Sequence, residues 1–221
     1  MLIYMENDIS HNLFLETEKV GEKLDIETHS VIFDRYQFAG SLAKDLRCLE
    51  VGCGSGIGLE YLSGLSKTFD AIEFSQENLD LLEFQDTGSA IITKGDAHEM
   101  PYNAANFDLV IALAMIYYLS LPRFLHEASR VLSNDGILFF CTSNKDVPGF
   151  CEAPFTTRYY SIPELHAELK KVGFHADFYG AFPKYGGNLL IRKFLALIKN
   201  ITKSMFNFTA VGRQAWKGLR S

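Results

Sequence analysis

The 221-residue sequence has no uninterrupted apolar run long enough to span a bilayer, for which about 20 predominantly apolar residues are needed. Within residues 1–15 the apolar positions are broken by Glu6, Asn7, Asp8 and His11. No secretory signal is therefore expected, and the expected location is the cytoplasm. Cysteine is scarce. Cys48, Cys53, Cys141 and Cys151 form no C-x-x-C pair, so reduced thiols are expected, with no disulfide framework and no metal cluster. Low-complexity runs and internal repeats are also missing, which excludes disordered and collagenous classes. Acid is absent from the last stretch: nothing after Asp177 is acidic, while Lys184, Arg192, Lys193, Lys199, Lys203, Arg213, Lys217 and Arg220 follow it. The preceding part holds 13 basic and 27 acidic residues, a balance of −14 beside a +8 tail. Such a body does not attract nucleic acid through a general basic field, and no nucleic-acid partner is expected.

What is present is a globular composition, 48% hydrophobic and 22% charged, of a length for one domain with an appendage. The expected division is a domain over residues 1–182 and a basic helical appendage over 183–221. Residues 8–24 and 27–42 carry apolar positions at three- and four-residue spacing and predict an N-terminal helical segment, 8–42. From Arg47 onward short apolar runs alternate with amphipathic stretches. Strands are predicted at 47–51, 69–73, 90–93, 107–112, 136–142 and 174–182, with helices at 56–65, 76–85, 121–132 and 161–172. This pattern predicts an α/β fold with a doubly wound, mostly parallel sheet. Asn134-Asp135-Gly136 is read as the turn between the helix at 121–132 and the fifth strand. No seventh strand is legible after Pro183.

The strongest local signal is Glu50-Val51-Gly52-Cys53-Gly54-Ser55-Gly56 at the turn from first strand to first crossover helix. Glycine there allows backbone geometry and ligand approach that a side chain blocks. The dinucleotide pattern G-x-G-x-x-G fails, because Ile57 stands where its third glycine belongs. That disfavours a nicotinamide-linked oxidoreductase. Two acids then fall at the ends of the next strands, where an open parallel sheet binds its ligand. Glu73, followed by Phe74, can accept both hydroxyl hydrogens of a ribose. Asp96, beside the small Ala97 in Gly95-Asp96-Ala97-His98, suits an adenine edge.

On these residues the chain resembles the class I S-adenosylmethionine-dependent methyltransferases that act on small molecules. The resemblance covers residues 36–182. It rests on the E-x-G-x-G-x-G loop at Glu50 to Gly56, the acid at Glu73, the G-D-A segment at Gly95 to Ala97, Phe107-Asp108-Leu109-Val110, and Arg130-Val131-Leu132 before Gly136. It implies S-adenosylmethionine as cofactor, held by Glu50, Gly52, Gly54, Gly56, Glu73, Phe74, Asp96, Ala97 and Ala112. In that family the loop passes beneath the methionine portion and the first acid orients its amino group. A non-catalytic relative that keeps the fold as a scaffold is the competing reading, and the intact glycines and Glu73 weigh against it.

The acceptor side departs from the family pattern. After the fourth strand stands Ala112-Leu113-Ala114-Met115-Ile116-Tyr117-Tyr118-Leu119, with no N-P-P-Y or D-P-P-Y motif. Transfer to an oxygen or nitrogen of a small molecule (a sugar, a secondary metabolite or a lipid-linked glycan) is expected, with alignment supplying most of the acceleration. Tyr117 and His98 lead as catalytic candidates, ahead of Glu99 and His126. Tyr36, Tyr117, Arg158 and Tyr159 are expected to bind the acceptor. In the tail, residues 188–206 project Arg192, Lys199 and Lys203 within about 40° of one another at 100° per residue. Leu190, Phe194, Leu197, Ile198, Ile201 and Met205 fill the opposite face. This predicts a basic amphipathic helix that packs on the domain or on a second copy in a homodimer, or else meets an anionic membrane or a lipid-linked acceptor.

Overall fold

Strand β4 (Phe107–Leu113) is apolar at all but one position and divides its side chains between two cores. Val110 and Ala112 face one cluster, while Leu109, Ile111 and Leu113 face the other. A strand buried on both faces belongs inside a sheet covered by helices on each side. The computed structural model, which describes residues 26–146, 150–153, 155–180 and 207–214, shows that arrangement.

The other strands are β1 (Arg47–Val51), β2 (Thr68–Glu73), β3 (Ile91–Lys94), β5 (Leu132–Ser143), β6 (Phe174–Gly180) and β7 (Asn207–Gln214). They form one seven-stranded sheet in the order β3-β2-β1-β4-β5-β7-β6. The pairs from β3 through to β5 are all parallel, and β7 alone is antiparallel, to both β5 and β6. Helices α1 (Ile26–Ala43), α2 (Leu59–Leu65) and α3 (Gln76–Leu82) contribute Ala39, Leu59, Leu62 and Leu82 to one core. On the other face, α4 (Leu121–Val131) and α5 (Ile162–Lys171) contribute Phe124, Leu125, Leu165 and Leu169. The doubly wound, mostly parallel fold is thus as the periodicity predicts.

Local chemistry explains the helix boundaries. Ser161 caps α5 in a full capping box with Glu164, and Gly173, at φ +88°, lets the chain leave it. Ser75 caps α3 by accepting from the Asn78 N–H. The helix expected from residue 56 begins only at Leu59, because Gly52, Gly54 and Gly56 all hold positive φ and keep the loop non-helical.

Two expectations are corrected. The fifth strand begins at Leu132, directly after α4: Leu132 pairs with Phe107, and the register shifts before Ile137 pairs with Leu109. The Asn134-Asp135-Gly136 turn is absorbed as an irregularity inside the strand. The sheet also has a seventh strand, β7, at residues 207–214, inside the stretch assigned to a helical appendage. Its partners lie at distant sequence positions on β5 and β6, which no local pattern discloses. Residues 8–24 and the amphipathic stretch 188–206 lie outside the described residues. Among those described, no helix is long and apolar enough to cross a membrane.

Candidate active site

The parallel strands β1, β2 and β3 end side by side, and their carboxyl ends carry the glycine loop, Glu73 and the Asp96 turn. After β1 the loop hangs from β2 by backbone bonds, Gly52 N to Ile72 O at 2.8 Å and Cys53 N to Ile72 O at 3.3 Å. Glu73, 5% exposed, then accepts from Gly54 N with Oε2 at 2.9 Å and from Ser75 N with Oε1 at 2.8 Å. One carboxylate therefore clamps the loop after β1 and the turn after β2 together. Each of its oxygens keeps further acceptor capacity.

The three loop glycines have three different neighbourhoods. A Cβ on Gly52 (φ +72°) would lie 3.2 Å from the Met115 side chain. On Gly56 (φ +88°) it would meet Leu82 of α3 at 2.3 Å, so this glycine packs the loop against the domain. Gly54 (φ +57°) has no described atom within 4 Å of such a Cβ. Of the three, only Gly54 faces space free of described atoms. Cys53, between them, is buried, and burial pushes its thiol well above the usual range, leaving it protonated.

Glu50 is 1% exposed at the core of β1, and the Tyr36 hydroxyl donates to its Oε1 at 3.1 Å. Tyr36 lies directly over Gly58, where a Cβ would fall 1.9 Å from the ring. The structure places Tyr36 with the glycine loop, on the cofactor side, and not with the aromatic acceptor candidates. Phe74 is 66% exposed beside Glu73. Ala112 is fully buried in β4 within the apolar core, so its side chain reaches no ligand there. Ala114, at φ +54°, bends the chain out of that strand.

After β3, Asp96 Oδ1 accepts from the His98 backbone N–H and faces His98 Nδ1, each at 2.8 Å. His98 Nε2 in turn accepts from Ser120 N at 3.0 Å. Both ring nitrogens are engaged, which removes His98 as a freely presented base. Ala97 is buried against the core. Further on, Arg130 grips Glu127 through two bonds of 2.7 Å, donates to Tyr102 O at 2.7 Å and Met100 O at 2.9 Å, and Glu127 accepts from Met100 N at 2.8 Å. The Arg130 guanidinium holds the Glu127 carboxyl below its ordinary value. The arginine noted only as part of a turn motif is the anchor of the loop after Asp96.

The aromatic side of the site is built on the 3-10 turn Ile116–Tyr118. Tyr117, 3% exposed, stacks on Tyr159 at 4.8 Å between centroids, and Tyr159 meets Phe150 edge-on at 4.7 Å. The Tyr117 carbonyl accepts from Thr157 N and Arg158 N, at 2.8 and 3.2 Å. Burial raises the Tyr159 phenol, whose oxygen accepts from Ala153 N at 3.3 Å, so it stays protonated as a wall. Arg158 is 56% exposed in its side chain, lies over the Tyr160 ring at 4.7 Å and pairs with Glu164 at 2.7 Å. Lys145 pairs with the same Glu164, whose carboxyl these partners hold well below the carboxylate range. Glu164 of α5 thus draws the two ends of the loop after β5 together, at Lys145 and at Arg158, and the Arg158 guanidinium is engaged by Glu164 and the Tyr160 ring. Met115, Gly58, Ser75 and Ser120 escaped sequence reasoning because each acts through a backbone group or a shape, with no motif of its own.

A seven-stranded sheet with a glycine loop after β1 and acids after β2 and β3 defines a Rossmann-like site for a nucleoside-bearing cofactor. Comparison with known proteins narrows it. The sequence model of a family described as a methyltransferase domain matches residues 49–140. A probable S-adenosylmethionine-dependent methyltransferase of Mycobacterium tuberculosis is 28% identical over 73% of this chain and 61% of its own length. A ubiquinone biosynthesis O-methyltransferase of Pelagibacter ubique is 26% identical over 48% of this chain and 46% of its own. The chain thus spans about half to three fifths of the length of these curated relatives. The crystal structure of the [4+2]-cyclase SpnF superposes with a TM-score of 0.67 at 18% identity, over 95% of this chain and 89% of that one, and shares the fold. Over residues 49–140 the chain is thus similar to S-adenosylmethionine-dependent methyltransferases, and S-adenosylmethionine is the cofactor of that class.

Proposed function

We propose that the protein transfers a methyl group from S-adenosylmethionine to an oxygen of a small molecule, with the cofactor held over the glycine loop. The observation that carries this reading is the Glu73 clamp: it bonds Gly54 N and Ser75 N, retains acceptor capacity, and borders the open space over Gly54. These features fit the cofactor. Glu73 would accept the ribose hydroxyls, Asp96 through Oδ2 the adenine edge, and Phe74 would cover a face of the base. Gly52 and Gly54 would pass beneath the methionine portion, with Glu50, steadied by Tyr36, near its amino group. Gly56 and Ala112 shape the site from behind.

When bound, S-adenosylmethionine supplies an electrophilic methyl on a positively charged sulfur. The chain's own part is then to hold the acceptor in line and exclude water, and orientation of this kind is worth about 7 to 11 kcal/mol in favourable cases. Tyr117 and Tyr159 supply a flat apolar wall for that purpose. Met115, against Gly52, closes the floor between loop and wall.

Oxygen as the acceptor atom is supported by the O-methyltransferase among the relatives. A lipid-linked or otherwise anionic acceptor is supported by where the basic segment is attached. Gly180 and Phe208 are paired neighbours, and Ser143 pairs with Asn207, so β6 ends and β7 begins at the carboxyl ends of the parallel strands, and residues 181–206 fall between them in sequence. Those residues hold five basic side chains and no acid. Incubation with methyl-labelled cofactor and pools of hydroxylated small molecules, lipid-linked ones included, tests the reading. Label in an ether or ester product supports it. Cofactor binding without transfer to any pool favours the scaffold reading instead.

A further inference from the structure

His98 stands between the two halves of the site, and its hydrogen bonds define its form. Ser120 donates its backbone N–H to Nε2, so Nε2 carries no proton, and Nδ1 is the protonated nitrogen that donates to Asp96 Oδ1. The ring is a neutral bridge 2.8 Å from the carboxylate on one side and 3.0 Å from the head of α4 on the other. Ser120 lies one residue beyond the turn that carries Tyr117 and Tyr118. The carbonyls of those tyrosines hold Thr157 and Arg158 next to the Tyr159 stack. The far side of the Asp96 loop is already fixed to α4 by Glu127 and Arg130. On the near side the Asp96 carboxylate is set by two groups of His98, its backbone N–H and its Nδ1.

We propose that His98 is a positioning residue that couples the adenine seat at Asp96 to the aromatic acceptor wall at Tyr117. The inference rests on the reading of Asp96 as a cofactor contact given above. A shift of the turn 116–118 moves Ser120, and through the imidazole it rotates the Asp96 carboxylate. Occupancy on one side is thereby felt on the other.

Ser120 offers a test on the backbone itself, because its φ of −73° matches proline and Leu119 before it is extended, at ψ 162°. Ser120→Pro removes the N–H and sets its ring Cδ where that hydrogen pointed, so it both unbonds and displaces the His98 imidazole, and the serine side chain makes no capping bond. Affinity for S-adenosylhomocysteine is measured by calorimetry in the parent, Ser120→Pro, Ser120→Ala, His98→Leu and the Pro/Leu double variant. The expected result is a two- to tenfold loss, about the value of one hydrogen bond, for Ser120→Pro and for His98→Leu. The double variant is expected to lose no more than His98→Leu alone, and Ser120→Ala to match the parent. Parental affinity in Ser120→Pro, even with a lowered melting temperature, overturns the coupling, as do losses that add in the double variant. A parent that binds no S-adenosylhomocysteine overturns instead the cofactor reading beneath it. If His98→Leu fails to fold, His98→Gln, which keeps an acceptor for Ser120, takes its place: affinity between parent and Ser120→Pro supports the bridge, and affinity below Ser120→Pro contradicts it.

Discussion

The two halves of the site are built from different materials. On the cofactor side, backbone groups do most of the shaping: Gly52 and Cys53 hang from Ile72, and Gly54 and Ser75 are drawn onto Glu73. On the acceptor side the wall is a stack of rings on a 3-10 turn, held by a loop whose ends meet at Glu164. A backbone-built seat demands glycine and one carboxylate at fixed spacing, so a single sequence displays it. A ring wall accepts many sequences of similar volume, so the sequence displays aromatics without saying which touch a substrate.

This contrast can be broken experimentally, most forcefully at Glu73. Glu73→Ala removes the proposed ribose acceptor and also leaves two partly buried N–H groups without their partner. Cofactor affinity is expected to fall on the order of a hundredfold or more, each charge-assisted bond being worth about 1.5 to 3 kcal/mol. Calorimetry gives the number, and an affinity within threefold of the parent would reduce Glu73 to a surface acid. Glu73→Gln is expected to fall between, since its amide can accept from one of the two N–H groups but confronts the other with a donor.

The glycines give the next largest effect and sharpen the division within one loop. Gly54→Ala forces a Cβ into the open space and a left-handed backbone on an L-residue, a strain of about 1 to 2 kcal/mol. Binding is expected to weaken on the order of tenfold with the core intact. Gly56→Ala drives its Cβ onto Leu82, an overpacking cost of about 1 to 3 kcal/mol. Its expected signature is a lower denaturation midpoint with a smaller loss of affinity in the protein that remains folded. Equal effects of the two changes on affinity would dissolve the distinction between lining and packing glycines.

Tyr117→Phe is the smallest expected change on the acceptor side. The ring stack with Tyr159 survives the loss of the hydroxyl, and alignment dominates a displacement of this type. Turnover with a found acceptor should drop less than tenfold. Complete loss at unchanged cofactor affinity would make the hydroxyl the proton acceptor and the wall a chemical one.

The same contrast explains what the sequence disclosed. The strands β1, β2 and β4 and the helices α4 and α5 were legible because each has a clear period and a terminal signal, such as Ser161 with Glu164. β7 was not, because a strand placed between β5 and β6 is chosen by partners at distant sequence positions. Among site residues, Glu50, Gly54 and Glu73 stood out by type and spacing. His98 was read as a base, and only the positions of Ser120 and Asp96 show a ring with both nitrogens engaged. Arg158 drew attention as a cation among aromatics, but Glu164 lies six residues on along the chain, one turn into α5, and takes it. Met115 and Gly58 act by shape alone against Gly52 and Tyr36, a relation that exists only once the chain is folded.

The central claim is that the strand-end loop, Glu73 and Asp96 form one seat for S-adenosylmethionine. Calorimetric titration of the full chain with S-adenosylmethionine, S-adenosylhomocysteine and a nicotinamide dinucleotide tests it most directly. The account predicts one molar equivalent of either sulfur nucleoside bound and no heat of binding from the dinucleotide. Binding of the dinucleotide in preference, or of neither sulfur nucleoside, would contradict it.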